Sequence, residues 1–515
     1  MKKYAERVVK GTIVIFAMLL MSGVIGYIIR LLLATNMSVE NYGMFYAVLS
    51  FVSFFILIIG LGLHGALTKF VSEFLVKKEH GKIKSTIIVV LLTQFIVSLC
   101  VVSFMLIFSG NISMVFFKTM ASADILNILL IYLFLSTPFF FLKNYFQGFH
   151  DMNMLALISF VYPLITLIGV VASFSYFGVT PVNAAYSYTI GVIVAVIIGL
   201  AIFFIKFRYV LKEKLVFDKP LIKNIFLFAL PVFIIGVANT AITYVDTLSI
   251  TYFRSLQEVG YYQAAIPTAF IITYLSSSLT TVLFPAVSDM WIRKRYHYIS
   301  TSISSIVKFT LILIVPVILV FISFPDIVLT ILFGAEYIPA SGALQILSIG
   351  VLFFSLGMLF TITLQGIGRP DLNAKLIGLA AIVNIILNIV LVPNHGIIGA
   401  ASSSAIAYFV YILLAHMYLL RELGKKNIVF RLPYATMAKT LCGGGATLVL
   451  IFFLKGYLSL SPIAELVIVG IVSLTFYIAW LLLTKCVKSD DIENISNIGV
   501  PVPKFVVNIV KKFSR

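Results

Sequence analysis

Fourteen stretches of the chain are apolar for roughly the length that crosses a lipid bilayer, and no other feature limits the fold as strongly. A helix needs about 20 mostly apolar residues to span the hydrocarbon core. Only 11% of the residues are charged and the mean hydropathy is +1.12, which excludes a soluble globular protein. The predicted spans are residues 11–33, 42–66, 85–109, 125–146, 155–177, 184–207, 222–250, 259–284, 304–324, 340–364, 374–392, 397–419, 433–454 and 462–484.

Lysine and arginine fall almost entirely on one side of the predicted membrane. Of the 37 such residues, 31 lie at the termini or around every second gap, and only Lys118, Arg254 and Lys455 lie in the other gaps. Loops rich in these residues stay in the cytoplasm. We therefore expect a multi-pass protein of the cell membrane with both termini cytoplasmic. The net charge of +18 follows from this topology and from attraction to anionic membrane lipids, so no nucleic-acid partner is expected.

The two halves of the chain repeat one another in sequence. Residues 38–47 (SVENYGMFYA) match residues 255–264 (SLQEVGYYQA) at an offset of 217, which places Gly43 opposite Gly260. Two shorter pairs follow in the same order: FVSEF (70–74) with AVSDM (286–290), and QGFHDMN (147–153) with QGIGRPDLN (365–373). Spans 1–6 therefore correspond to spans 7–12, and spans 13 and 14 have no counterpart.

Because six is an even number, both copies have the same orientation, as in transporters with parallel repeats. The predicted fold is an all-α polytopic membrane protein with 14 transmembrane helices, in two parallel six-helix lobes plus two C-terminal helices. We place the N-terminal lobe at residues 1–207, the C-terminal lobe at 208–423, helices 13 and 14 at 424–484, and a cytoplasmic tail with an amphipathic segment at 485–515. Two such lobes are typical of a rocking transporter.

Three segments carry a family resemblance: residues 28–74, 245–265 and 364–401. They resemble polysaccharide exporters of the Wzx-like flippase family, in the multidrug/oligosaccharidyl-lipid/polysaccharide exporter superfamily. The resemblance implies alternating access and outward movement of a polyprenyl-linked oligosaccharide for surface polysaccharide or glycan assembly. It leaves the sugar, the carrier lipid and the coupling ion (Na⁺ or H⁺) open, and no other cofactor is expected. The expected partners are membrane lipids and a neighbouring polysaccharide polymerase or glycosyltransferase. The protein itself is expected to function as a monomer.

Charged side chains inside spans are the first candidates for a binding site, because they are costly there. Arg30, in the outer third of span 1, is the strongest, since a planar guanidinium binds phosphate oxygens through two parallel hydrogen bonds. The alternative is that the Arg30 side chain snorkels to the headgroups of the outer leaflet and has no part in binding. Lys69, at the inner end of span 2, is expected to meet the substrate phosphate, with His64 one turn deeper. A membrane anchor and a packed histidine are the alternatives for these two.

Span 7 adds polar candidates in its outer half. Asn239 and Tyr244 offer amide, hydroxyl and aromatic groups that suit a sugar, although helix packing uses the same residues. Asp246 is the one carboxylate well inside a predicted span, and it lies beside Thr247, the repeat counterpart of Arg30. We predict that Asp246 either pairs with Arg30 across an outer gate or binds a coupling cation.

Other function classes fit the sequence less well. It has no Ser/His/Asp constellation, no metal-ligand spacing, no phosphate-binding Gly-rich motif and no long loop, so we expect no enzyme. A cation-coupled multidrug antiporter needs buried carboxylates, and spans 1–6 contain none. A lipid II flippase would need several arginines in the first lobe, where we find one. Both remain alternatives within the same superfamily.

Overall fold

The computed structural model of the protein describes residues 2–216, 218–430, 432–457 and 461–486, with side chains from residue 17 onward except that of residue 297. All regular structure within these ranges is helical, which confirms the predicted all-α class. The amphipathic segment predicted at 485–515 lies outside the described residues beyond residue 486.

Seventeen α-helices follow one another along the described ranges. They are α1 (Lys2–Asn36), α2 (Val39–Gly60), α3 (Leu63–Val76), α4 (His80–Ile107), α5 (Ser109–Ile112), α6 (Ala121–Gly148), α7 (Met152–Phe177), α8 (Pro181–Lys206), α9 (Arg208–Lys212), α10 (Lys219–Phe253), α11 (Leu256–Ile292), α12 (Tyr296–Ser323), α13 (Pro325–Phe333), α14 (Ser341–Gly366), α15 (Pro370–Gly424), α16 (Tyr434–Tyr457) and α17 (Pro462–Leu483). A π-helical turn (Ser113–Phe117) and a 3-10 turn (Ala335–Ala340) lie between them.

Thirteen helices in the described part of the chain are long and apolar enough to cross a membrane. One of them, α15, has 55 residues. At about 1.5 Å per residue it is more than twice as long as the roughly 30 Å hydrocarbon core is thick. Its backbone is non-helical at Gly396 (φ 52°, ψ −131°), between the eleventh and twelfth predicted spans. Helix α15 is therefore long enough for two crossings, and the count of 14 stays a prediction.

The second predicted span, residues 42–66, is not one helix. It breaks between α2 and α3, where Leu61 and Gly62 have left-handed backbones with φ of 46° and 70°. The Gln94 side-chain amide donates a hydrogen bond to the Gly60 carbonyl at 3.3 Å, which satisfies a group that the break leaves without a helical partner. Gly62 also touches α10, because a Cβ at this position would lie 2.1 Å from the Ala229 carbonyl oxygen. A positive φ and close backbone packing together explain the break.

Contacts divide the chain into two compact units, Met1–Gly260 and Tyr261–Arg515. In the first unit, α6 packs against α2, α3, α4 and α8, while α1 packs on α7 and α10 packs on α2 and α3. In the second unit, α14 packs along α15 and against α12, and α16 packs against α12 and α17. Helix α10 thus belongs by contact to the first unit, and the lobe boundary between residues 207 and 208 stays a prediction.

The repeated segments have the same local backbone. Lys78 after α3 and Lys294 after α11 both have left-handed backbones, with φ of 59° and 57°. In each turn the following N–H donates to the carbonyl five residues back, at 2.9 and 2.8 Å. Ser38 and Ser255 each accept a hydrogen bond from the N–H three residues ahead, at 3.3 and 3.2 Å, and so cap the starts of α2 and α11.

Helix packing repeats in the same way within each unit. A Cβ at Gly148, the end of α6, would lie 2.9 Å from the Val71 side chain. A Cβ at Gly366, the end of α14, would lie 2.9 Å from the Val287 side chain. The glycines and the valines correspond under the predicted repeat, so each unit contains the same close helix contact. The repeat predicted from the sequence is present in both backbone and packing.

Candidate functional site

Arg30 lies in α1 and directs its guanidinium at aromatic side chains of α2. Its Cζ lies 4.4 Å from the centroid of the Tyr46 ring, and its guanidinium donates a hydrogen bond to the Tyr42 hydroxyl. Tyr188 of α8 lies within electrostatic range. A desolvated cation–π contact contributes about 2 kcal/mol. That contribution offsets much of the roughly 3 kcal/mol that an arginine costs inside a membrane helix.

Phenol side chains from five helices lie beside this guanidinium or beside one another. The hydroxyls of Tyr46 and Tyr188 lie 3.4 Å apart, and Tyr162 donates to Tyr132 at 3.5 Å. Tyr244 hydrogen-bonds with Ser53 and lies within electrostatic range of Arg30. We call these side chains the tyrosine cluster: Tyr42 and Tyr46 of α2, Tyr132 of α6, Tyr162 of α7, Tyr188 of α8 and Tyr244 of α10.

The members of the tyrosine cluster differ in how far they are buried. Tyr42, Tyr46 and Tyr132 are buried, whereas Tyr162, Tyr188, Tyr244 and Arg30 are half-buried. Because α1 and five other helices converge on these side chains, the cluster faces the interior of the first unit. The half-buried members are therefore its more accessible part.

Sequence reasoning found one member of the tyrosine cluster and missed five. Tyr244 was predicted because it lies in a polar stretch of α10. The spacing of Tyr42 and Tyr46, one helical turn apart, was the available signal, since it places both rings on the same face of α2. The other three each share a mostly apolar helix with a second tyrosine, and nothing in the sequence distinguishes a ligand-binding ring from a packed one there.

The predicted residues of α10 other than Tyr244 have different surroundings. Asn239 is exposed, and its side-chain amide donates to the Ile235 carbonyl of its own helix at 3.0 Å. Asp246 is only 1% exposed, and a carboxylate at that depth requires partners. Three tyrosines of the cluster, Tyr42, Tyr46 and Tyr188, lie within electrostatic range of Arg30. The predicted pairing of Arg30 with Asp246 stays a prediction.

The two predicted residues of α3 lie among aromatic rings. Lys69 is exposed, and its Nζ lies 4.2 Å from the centroid of the Phe228 ring of α10. The His64 ring lies 5.8 Å from the Phe140 ring of α6, and its Nε2 is buried without a hydrogen-bond partner. Lys143 of α6 also contacts Phe140, with Nζ 5.7 Å from the ring centroid. Lys143 and His64 thus lie beside the same aromatic ring.

The second unit contains an apolar groove of about 620 Å³ between α12, α16 and α17. Aliphatic and aromatic side chains form nearly all of its lining, among them Pro316, Phe324, Ile451 and Leu474. Gly470 of α17 also lines the groove, and a Cβ at this position would meet nothing within 4 Å. The groove is thus wide enough at Gly470 to accept a hydrocarbon chain.

Two protein families match the chain. The family described as "Polysaccharide biosynthesis protein" matches residues 8–291, more than half of the sequence. The MatE family matches residues 231–390.

Relatives with similar sequences come from archaea and bacteria. The uncharacterized membrane protein MJ1068 of Methanocaldococcus jannaschii is 28% identical over 96% of this chain and 98% of its own length. The probable low-salt glycan biosynthesis flippase Agl15 of Haloferax volcanii is 24% identical over 50% of this chain and 54% of its own length. A putative O-antigen transporter of Shigella flexneri is 22% identical over 37% of this chain and 46% of its own length.

Solved structures share the fold at low sequence identity. The lipid II flippase MurJ, in an inward closed conformation, has a TM-score of 0.72 at 18% identity and covers 91% of this chain and 98% of its own. An inward-facing multidrug resistance MATE family transporter has a TM-score of 0.65 at 14% identity and covers 80% of this chain and 98% of its own. The family matches and the relatives with a stated activity confirm a membrane transporter rather than an enzyme. The chain belongs to the polysaccharide biosynthesis protein family, within the multidrug/oligosaccharidyl-lipid/polysaccharide exporter superfamily.

Proposed function

We propose that the protein is a flippase that moves a polyprenyl-linked oligosaccharide from the cytoplasmic to the outer leaflet by alternating access. Such a molecule has three chemically different parts, namely a phosphate or pyrophosphate, a hydroxyl-rich glycan and a long hydrocarbon tail. The chain offers a cation, a set of phenols and an apolar groove that suit these parts. Two relatives named as a glycan biosynthesis flippase and an O-antigen transporter support the same class of substrate.

The position of Arg30 is the observation that carries this proposal. Its guanidinium lies in a spanning helix against the Tyr46 ring face and the Tyr42 hydroxyl. The phenols beside it are neutral at physiological pH, and a low-dielectric interior strengthens the attraction of a guanidinium for an anion. A phosphate or pyrophosphate satisfies a guanidinium through two parallel hydrogen bonds. A cationic drug, by contrast, would be repelled here.

Two further features support movement of a lipid anion. Lys69 in the middle of α3 and Lys143 near the end of α6 lie beside aromatic rings, where they suit a phosphate that arrives from the cytoplasm. The groove between α12, α16 and α17 suits a polyprenyl tail, because its lining is apolar. Burial of each methylene there contributes about 0.8 kcal/mol. We place both termini in the cytoplasm and the protein in the cell membrane, as a functional monomer.

The strongest competing function is a cation-coupled multidrug antiporter. The MatE match covers residues 231–390, which include the buried carboxylate of Asp246. A carboxylate inside a spanning helix suits binding of Na⁺ or a proton. Such a coupling site is compatible with a flippase as well, so Asp246 alone does not decide between the two. A lipid II flippase is the nearer alternative, since it shares the phosphate and the tail.

Transport measured in liposomes tests the proposal. The full chain would be reconstituted with a fluorescent polyprenyl-pyrophosphate oligosaccharide, and the fraction that crosses the bilayer followed by chemical quenching from one side. We expect movement that empty liposomes lack. Two parallel assays measure transport of lipid II, and transport of a cationic dye in the presence of a Na⁺ or proton gradient. Export of the dye without movement of either lipid would replace the flippase with an antiporter, and movement of lipid II alone would narrow the substrate to peptidoglycan precursors.

A further inference from the structure

We propose that the tyrosine cluster binds the sugar rings of the transported head group that lie nearest its phosphate, while Arg30 holds the phosphate. This inference rests on the proposed function and assigns the part of the site that recognises the glycan. The substrate class that follows is a polyprenyl-linked glycan whose first sugars are uncharged, hydroxyl-rich pyranoses.

The hydroxyl groups of the cluster are weakly engaged with one another. The hydroxyl oxygens of Tyr46 and Tyr188 lie 3.4 Å apart, and those of Tyr162 and Tyr132 lie 3.5 Å apart. Hydrogen bonds between hydroxyls are usually about 2.7–2.8 Å long, so both pairs are at the weak limit. Each phenol has one donor and also accepts. A sugar hydroxyl placed between two of these phenols would form shorter bonds than the phenols form together.

The ring faces of the cluster suit the other surface of a pyranose. The Tyr42 and Tyr46 ring centroids lie 4.8 Å apart, and those of Tyr132 and Tyr162 lie 6.5 Å apart. A pyranose has an apolar C–H face and a hydroxyl edge, and tyrosine has an apolar ring and a polar tip. Phe139 extends the aromatic surface, with its ring centroid 5.4 Å from that of Tyr162. Rings and hydroxyls therefore alternate along the wall of the cluster.

The distribution of charge sets the class of sugar. Arg30 is a cation, and the cluster members beside it, Tyr42, Tyr46 and Tyr188, are phenols, which are neutral at physiological pH. A uronic acid beside the phosphate would compete for Arg30 with the phosphate itself. An uncharged sugar avoids that competition and uses the hydroxyls of the half-buried residues Tyr162 and Tyr188.

Binding to the full-length protein in nanodiscs tests this assignment with two probes, polyprenyl pyrophosphate and the same lipid carrying a neutral oligosaccharide. The variants are Tyr162→Phe and Tyr188→Phe, singly and together. They keep each ring and remove one hydroxyl, so the fold is retained. Tyr186→Phe is the matched control, since Tyr186 lies on the same helix as Tyr188 but is 51% exposed.

We expect the wild type to bind the glycan lipid more tightly than the bare lipid. Loss of one hydrogen bond reduces affinity by roughly 2–10-fold, so the double variant should lose about 4–100-fold for the glycan lipid and almost nothing for the bare lipid. Equal affinity of the wild type for the two probes would overturn the inference, as would equal losses for both in the double variant. Absence of any binding or transport of either probe by the wild type would instead overturn the proposed function.

Discussion

Gly43 and Gly260 lie against each other's helices at the starts of α2 and α11. A Cβ at Gly43 would lie 1.8 Å from the Leu256 carbonyl oxygen, and a Cβ at Gly260 would lie 2.3 Å from the Val39 carbonyl oxygen. The offset of 217 that relates the two glycines also relates Val39 to Leu256. The contact is therefore reciprocal, and the four residues that form it all lie in the first compact unit.

The Gly43→Ala variant is expected to disrupt this contact. Its methyl group has no space, because the neighbouring atoms belong to the backbone of α11, and overpacking of this kind typically costs about 1–3 kcal/mol. We expect a lower midpoint in thermal unfolding of the detergent-solubilised protein. Gly26→Ala in α1 is the control, since a Cβ there meets nothing within 4 Å, and it should melt at or above the wild-type temperature. A wild-type midpoint for Gly43→Ala would show that the two helix starts do not pack this closely.

Gly62 and Gly178 allow backbone strain to be separated from packing. Both have a positive φ, 70° and 88°, but a Cβ at Gly62 would lie 2.1 Å from the Ala229 carbonyl oxygen while one at Gly178 would meet nothing within 4 Å. Gly178→Ala should therefore show only the conformational cost, about 1–3 kcal/mol, because φ of 88° with ψ of 166° is a backbone conformation that glycine alone adopts readily. Gly62→Ala should be destabilised considerably more, with less folded protein recovered by size-exclusion chromatography. Equal behaviour of the two variants would contradict close packing of α10 on the break between α2 and α3.

Filling the apolar groove should affect long-chain substrates selectively. Gly470→Phe places a ring in the groove between α12, α16 and α17, where the glycine has open space around it. We expect transport of a lipid with a full polyprenyl chain to fall several-fold, and transport of a short-chain analogue to change little. Gly445→Phe is the control, because Gly445 also has open space but does not line the groove. If both lipids are transported as by the wild type, the tail does not use this groove.

The sequence predicted the elements whose signals are local. Apolar length predicted the helices, and the match between residues 38–47 and 255–264 predicted the repeat, in which Ser38 and Ser255 cap the starts of α2 and α11. The break within the second predicted span was not predicted. Gly60 and Gly62 were visible in the sequence, but a glycine in an apolar stretch is as often a packing residue as a helix end. Only the approach of Ala229 from α10, which is distant in sequence, shows why the helix ends there.

The candidate site was predictable where it contains a charge. Arg30 was identified because an ionisable group in a span is costly and therefore rare. Tyr132, Tyr162 and Tyr188 carry no such cost, since a phenol is tolerated in an apolar helix, and their helices are far apart along the chain. Their convergence in the tyrosine cluster depends on how α6 and α8 pack against α2 and how α7 packs against α6 and α8, and no local pattern encodes that packing.

The most direct test of the central claim compares the wild type with Arg30→Ala and Arg30→Lys in liposomes that contain a fluorescent polyprenyl-pyrophosphate oligosaccharide. Arg254→Ala is the control, because Arg254 forms an exposed ion pair with Glu258 at 2.9 Å. If Arg30 binds the phosphate, Arg30→Ala should lower the rate of transport by at least roughly tenfold, since loss of a charged hydrogen bond costs about 1.5–3 kcal/mol. Arg30→Lys should retain part of the rate, because it keeps the charge but not the paired geometry. Transport by Arg30→Ala at the wild-type rate would contradict the account.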